Sequence, residues 1–189
     1  MTRIRADYEA RCASKRRAQQ DIVEHLPFLY ETACRYEGVR VIELGVRRGN
    51  STSAFLAAAY ERDGQVWSCD FKRPLVPQWW HDLDRWTFYQ GDDRPKGARV
   101  VAPSGCDVLF IDTSHTYPHT KEELRAYGPR VCPGGVILCH DTDMGGVSRA
   151  LDELYPEWVY RLGCNGLGVV EVPEDPSFSE VVEAFDATS

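Results

Sequence analysis

Five short apolar runs recur between residues 39 and 140, and each stops on a glycine, an acidic residue or a His-Asp pair. They are VRVIEL (39–44), QVWSC (65–69), TFYQ (87–90), DVLFI (107–111) and VILC (136–139). A strand covered on both faces is apolar along its length, because neither side of the pleat meets water. Segments of helical character separate the runs: 51–62 with Asn50 and Ser51 as caps, a short helix over 77–86, and a brief turn near 94–101. Two more are 119–128, with Pro118 in the first turn and Gly128-Pro129 as the stop, and 146–155. Alternation of this kind demands a mostly parallel sheet with helices on both sides. PGG (133–135) reads as a turn before the fifth run. WVYRL (158–162), the turn GCNG (163–166) and LGVVEV (167–172) follow without a helix between them, which predicts a terminal hairpin and an antiparallel last strand. The fold class is therefore α/β, a doubly wound, Rossmann-like sheet.

Outside this block the reading is sparser. Ile22, Leu26, Leu29 and Ala33 fall at helical spacing over 20–36, with Asp21 as a cap and Pro27 as a kink or break. Residues 3–18 suggest a charged helix with too few apolar positions for a core of its own, which could pack on a partner, including a second copy. Three parts result: an N-terminal helical extension (1–36), the α/β domain (37–173), and an acidic tail (174–189) that is loose or forms a short helix over FSEVVEAFD.

Composition narrows the function classes. At 43% hydrophobic and 27% charged, this 189-residue chain matches ordinary globular proteins. No window approaches the roughly 20 apolar residues of a membrane span, and the charged N-terminus lacks the apolar core of a secretory signal; the expected location is cytoplasmic. The seven cysteines contain no CxxC pair, so buried reduced thiols are expected rather than a disulfide framework or zinc knot. Residues 1–20 carry six basic and two acidic groups, but the chain as a whole is at −7 and no aromatics interleave with the basic stretch. A solvated helix face explains it better than nucleic-acid binding does.

In an open parallel sheet, ligands bind beyond the carboxyl ends of the strands. The residues there are Glu43-Leu-Gly45-Val-Arg-Arg-Gly49-Asn50-Ser51, Asp70-Phe71, Gly91-Asp92, Asp112-Thr-Ser-His115 and His140-Asp141. The first loop is GxxxG, not the GxGxxG that seats a dinucleotide pyrophosphate, which argues for a different ligand. By itself it is equally a tight strand-to-helix turn. Asp70 stands where an acceptor meets a ribose diol, and Phe71 offers a face for adenine. Asp92 is placed to accept from an adenine amino group; an exposed Asp opening a loop and an ordinary turn residue are the plainer readings of the two acids.

ELGVRRGNS, SCDF, QGDD, FIDTSHTYPHTKEEL and PRVCPGGVILCHDT, in this order and spacing, resemble class I S-adenosylmethionine-dependent methyltransferases. The likeness is greatest to the branch with small, often metal-assisted O-methyltransferases and cephalosporin-hydroxylase relatives, and it covers roughly residues 20 to 172. It implies seven strands, the seventh antiparallel and inserted beside the fifth. It also implies that Glu43, Gly45, Gly49 and Ser51 surround the methionine of the cofactor, that Asp70 holds the ribose, that Phe71 and Asp92 frame the adenine, and that Asp112 borders the cofactor.

In metal-assisted relatives an ion after the fourth and fifth strands activates the acceptor hydroxyl, and a base three residues beyond the first carboxylate takes its proton. The matching positions are Asp112, His140 and Asp141 for the ion and His115 for the base, with Asp112 and Asp141 also positioning the acceptor. Two carboxylates suit Mg²⁺ or Mn²⁺; a histidine at 140, where the relatives carry a carboxylate, favours Mn²⁺, Fe²⁺ or no ion. His115 is alternatively a helix cap or a structural partner of Asp141. His119 and Thr116 read as helix-start residues, Trp79-Trp80 as packing or a lid, and His25 and His81 have no assigned role. The expected activity is methylation of a small-molecule acceptor at a hydroxyl. An oxidoreductase or hydrolase on the same fold, and a non-catalytic cofactor-binding module, are the alternatives.

Overall fold

The computed structural model describes residues 2–14, 22–94 and 105–174. Seven strands form one sheet: β1 (Arg40–Leu44), β2 (Gln65–Asp70), β3 (Trp86–Gln90), β4 (Cys106–Ile111), β5 (Val131–His140), β6 (Val159–Arg161) and β7 (Leu167–Glu171). Their order is β3-β2-β1-β4-β5-β7-β6. The first five pair in parallel, and β7 runs antiparallel between β5 and β6. Both the predicted hairpin and the inserted last strand are present.

Alternation along each central strand assigns the two faces. Val41, Val108, Phe110, Val136 and Leu138 point into a core shared with α1 (Arg3–Cys12), α2 (Leu26–Ala33) and α3 (Asn50–Glu61). Ile42, Leu44, Leu109, Ile111 and Ile137 point into the other, under α4 (Tyr117–Tyr127) and α5 (Gly146–Leu154). This period of two inside continuous apolar runs is what a doubly covered sheet requires. Every residue of α3 from Ser51 to Ala59 is buried, and its small side chains let it lie between the sheet and the outer helices. The sparse apolar set of α1 is used within its own chain: Ile4 and Tyr8 are buried, Tyr8 stacks on Tyr30 at 5.0 Å, and Arg5 pairs with Glu61 at 2.9 Å. Among the described residues no helix is long and apolar enough to cross a membrane.

Local expectations are corrected in four places. Asn50 and Ser51 do not cap α3; Gly49 occupies the cap position with φ +71°, a left-handed conformation that suits glycine. PGG is not a turn before the strand but part of β5, where Val131 pairs with Cys106 and Val136 with Val108, so the glycines absorb the surplus residues as a bulge. Residues Gln78–Asp82 form a 3₁₀ turn, and the chain is extended again by Trp86. Pro27 starts α2 rather than kinking a longer helix, after a 3₁₀ turn at Val23–His25. The Asp21 cap and the tail helix lie outside the described residues, as does nearly all of the turn near 94–101.

The switch in strand order falls between β1 and β4, and there the backbones nearly touch. Asp112 N donates to Leu44 O at 2.8 Å, and Gly45 N donates to Cys69 O at 2.8 Å. A β-carbon on Gly45 would stand 2.0 Å from Asp112 O, at φ +93°. Beneath this junction Glu43 is fully buried. Its carboxylate accepts from Ser51 Oγ (2.6 Å), Thr52 Oγ1 (2.8 Å) and Ser68 Oγ (2.6 Å), so one side chain of β1 ties α3 to β2. Trp86 Nε1 donates to Ser68 Oγ at 2.9 Å and extends the network to β3. Burial, resisted by the three hydroxyls, pushes the Glu43 carboxyl up to about 7.

Two predictions follow from this junction. Gly45→Ala should cost roughly 3 kcal/mol or more in urea unfolding, through backbone overlap and left-handed strain together. Gly38→Ala, at φ +65° with nothing within 4 Å of the new carbon, should cost about 1 kcal/mol; equal losses would contradict the close approach. Glu43 binds a proton more tightly folded than unfolded, so its contribution is full below pH 4.5 and is lost as pH rises through about 7. Wild-type stability should therefore fall relative to Glu43→Gln between pH 5 and 8, by up to roughly 3 kcal/mol at about 1.4 kcal/mol per pKa unit. A difference that does not change with pH would show that Glu43 is not held this way.

Candidate active site

The loop after β1 is held from two sides. Asp70, at the end of β2, accepts from Val46 N (2.9 Å) and Arg47 N (2.8 Å) through Oδ2 and from Lys72 N (2.8 Å) through Oδ1. Three of its roughly four acceptor positions are thus filled by backbone, leaving one side of the carboxylate for a ligand. Gly49 lies under Trp80, where a β-carbon would meet the indole and Val76 at 2.7 Å. Trp80 is fully buried, which makes it packing for the loop and not a lid.

The residues expected to line the cofactor pocket divide by exposure. Phe71 is 73% exposed, directly after Asp70, with a ring face available for stacking. Gly45 and Gly49 set the path of the loop. Glu43 and Ser51 face inward onto each other at 2.6 Å, so in this structure they support the loop from below instead of walling the cleft. Asp92 is paired with Arg94 at 2.7 Å, and that guanidinium holds its carboxyl down at about 2. The neighbouring Asp93 is the buried one.

At the ends of β4 and β5 four titratable side chains converge. His115 Nε2 is 2.7 Å from Asp141 Oδ2 and 3.6 Å from Asp112 Oδ1. His140 Nδ1 is 3.1 Å from Asp141 Oδ2 and 3.4 Å from Asp112 Oδ1. The distances are those of ion pairs, yet the atoms are not aligned as hydrogen bonds: His115 Nε2, both ring nitrogens of His140, Asp141 Oδ1 and Thr142 Oγ1 are buried without a hydrogen-bond partner. Asp141 itself sits at φ +60°, rare for a non-glycine residue. Close, misaligned donors and acceptors around one point are what a ligand set looks like when the groups aim at a common centre instead of at each other.

Electrostatics agree with the crowding. Asp112 and then Asp141 raise His115 to about 9. Burial alone would lower His140, but the same two carboxylates outweigh it and raise the ring to about 10. Burial opposes ionisation of Asp112 and Asp141, and the two imidazoles overcome it and hold both carboxyls low. One Nδ/Nε or carboxylate atom from each of Asp112, His115 and Asp141 lies within 4.8 Å of the others, with His140 alongside. The expected ion ligands Asp112, His140 and Asp141 are thus brought together, and His115 stands among them rather than apart from them.

Two features escaped the sequence. His25, from the N-terminal segment, places its ring edge-on to His140 at 5.6 Å and its Nε2 3.1 Å from Gly163 O. Nothing in the sequence marks this, because the contact spans more than a hundred residues. His119 is not merely a helix-start residue: it joins Asp93 and Glu123 in a second polar cluster, visible in sequence only as a His at one helical turn from a Glu.

A family profile described as a methyltransferase domain matches residues 42–142. No curated protein matches the sequence at a significant level. Among solved structures, the chain is similar to the SAH-bound methyltransferase PaMTH1 of Podospora anserina, at 11% identity and TM-score 0.64 over 91% of this chain and 88% of that one. It is similar to the O-methyltransferase TomG of Streptomyces achromogenes, involved in tomaymycin synthesis and solved with SAM, at 15% identity and TM-score 0.62 over 92% and 91%. It also resembles the MycE methyltransferase of the mycinamycin biosynthetic pathway, solved with Mg, SAH and mycinamycin VI, at 18% identity and TM-score 0.59 over 92% of this chain and 54% of that one. At these identities the likeness is one of fold. The family match spans more than half of the chain and sits on the strand ends described above, and the protein belongs to the methyltransferase-domain family as a class I, S-adenosylmethionine-dependent methyltransferase.

Proposed function

We propose that the enzyme methylates a hydroxyl of a small-molecule acceptor at the cluster of Asp112, His115, His140 and Asp141, in the cytoplasm. The observation that carries this reading is the approach of His115 Nε2 and His140 Nδ1, both buried without a hydrogen-bond partner, to Asp141 Oδ2 at 2.7 and 3.1 Å. TomG is an O-methyltransferase and MycE was solved with mycinamycin VI, which favours a small-molecule acceptor here. All seven cysteines are free, which suits a reducing compartment.

Methyl transfer is an in-line displacement. The acceptor oxygen attacks the methyl carbon, the carbon–sulfur bond breaks, its electron pair stays on sulfur, and the hydroxyl proton must leave. Asp70 and Phe71 are assigned to the ribose and adenine, and Gly45 and Gly49 to the backbone against the methionine. Asp92 takes part in adenine binding only if it exchanges Arg94 for the base. Asp112 borders both the cofactor and the acceptor.

The donor set fits a divalent ion: two carboxylates and at least one imidazole, with one ligand atom from each of Asp112, His115 and Asp141 within 4.8 Å of the others. Asp112, Asp141 and His140 or His115 would hold it, and when bound it would lower the pKa of the acceptor hydroxyl and orient it. His115 is the proposed proton acceptor. Pressed between two carboxylates it is kept protonated, and it becomes a base only when their charge is otherwise compensated.

His115→Ala should lower turnover by about 100-fold or more while leaving S-adenosylhomocysteine affinity within about threefold. Product formation and calorimetry measure the two; unchanged turnover would remove His115 from the reaction. After dialysis against EDTA, Mn²⁺ should restore more turnover than Mg²⁺ at equal concentration, because imidazole donors suit the softer ion. Turnover that ignores both chelation and added ion would leave the cluster with a purely organic role.

A further inference from the structure

A second cluster, made of other residues, joins the turn after β3 to α4. Asp93 follows β3 by three residues, and His119 and Glu123 stand one helical turn apart on the inner face of α4. Asp93 Oδ1 is 2.9 Å from His119 Nε2, and His119 Nε2 is 3.5 Å from Glu123 Oε1. One potential ligand atom from each of the three residues lies within 4.8 Å of the others. Tetrahedral ligands at about 2.1 Å from an ion are separated by roughly 3.4 Å, so this spacing is already close to a ligand arrangement.

Burial sets the cluster apart from a surface ion pair. The Glu123 side chain is 0% exposed and that of Asp93 9%. Glu123 Oε1 is met by Thr113 Oγ1 at 2.7 Å, while Oε2 of the same carboxylate is buried with no hydrogen-bond partner. Surrounding groups orient the ligands instead of saturating them: Thr113 holds one oxygen of Glu123, and Tyr127 Oη donates to the backbone carbonyl of Asp93 at 2.8 Å. A single imidazole stands between the two carboxylates, and a divalent ion would balance both. Burial, countered by His119, raises the Asp93 carboxyl, and burial likewise raises Glu123 against the pull of His119.

We infer that Asp93, His119 and Glu123 form a second, structural divalent-metal site, suited by its oxygen and imidazole donors to Zn²⁺ or Mn²⁺ and distinct from the cluster at Asp112 and Asp141. An ion there ties the turn after β3 to α4, on the side of the cleft where Asp92 stands.

Zn²⁺ alone tests this, in the full chain carrying Asp112→Asn and Asp141→Asn to disable the first cluster. Equilibrium dialysis with metal analysis should find one Zn²⁺ per chain, and Zn²⁺ should raise its melting temperature. Adding Glu123→Gln, which preserves shape and the Thr113 contact, or His119→Ala, should weaken binding by about 100-fold and abolish the thermal shift. No Zn²⁺ bound by the Asp112→Asn, Asp141→Asn chain would overturn the proposal. So would binding and thermal shift that survive Glu123→Gln and His119→Ala unchanged, or a His119→Ala chain that melts lower by the same amount with and without Zn²⁺. Because the Asp112 cluster is disabled throughout, failure here leaves the catalytic reading untouched.

Discussion

Where β1 and β4 end side by side, the main chain at Gly45 passes so close to the Asp112 carbonyl that no side chain fits between them. Everything assigned to the site is positioned from that contact. It brings the glycine loop, which needs free backbone, against the strand end that supplies the first carboxylate. The hydrogen bond from Asp112 N to Leu44 O locks the register of the two strands at their tips. A reversal of strand order opens a crevice in any doubly wound sheet; here the missing β-carbon determines how tightly its floor is closed.

Below the floor, a charged residue does what apolar packing cannot. Glu43 gathers Ser51, Thr52 and Ser68, drawing the start of α3 and the middle of β2 onto β1 through directional bonds. A buried carboxylate is costly unless its oxygens are met, and three hydroxyls meet these. The price is a proton affinity shifted into the neutral range. Asp70 does the corresponding work above, with its carboxylate on three backbone N–H groups. Two acidic residues that resemble ligand contacts in sequence therefore hold the loop in shape, one wholly and one in part.

The two histidine clusters differ in what they leave unsatisfied. At Asp112 and Asp141 two imidazole nitrogens lie within 3.6 Å of the two carboxylates and are buried without a hydrogen-bond partner. At Asp93 the geometry is nearly that of an ordinary carboxylate–imidazole clamp, with a single buried oxygen in excess. The first lies at the ends of β4 and β5, with the side chains of Asp112 and His115 part-exposed. The second is closed over by α4, which fits a structural role.

Strand–helix alternation, the hairpin and the polar strand ends were legible in the sequence because each depends on local periodicity or on the residue that terminates an apolar run. The insertion of β7 beside β5 came from the family resemblance, whereas its pairing with β6 had the local hairpin signal. Glu43 and Ser51 were visible as residues but not as partners of each other, since their direction depends on how α3 seats on the sheet. PGG looks like a turn because glycine and proline break strands on average; hydrogen bonds to Val172 on the β7 side carry β5 through it as a bulge. His25 carried no signal, and Asp93, next to an almost identical Asp92, could not be singled out. The order of elements and the chemistry at their ends are thus properties of the chain, set by short-range sterics and burial. Which side chains face one another across the crevice was decided only by the tertiary structure, because contacts between residues far apart in sequence depend on how whole layers pack.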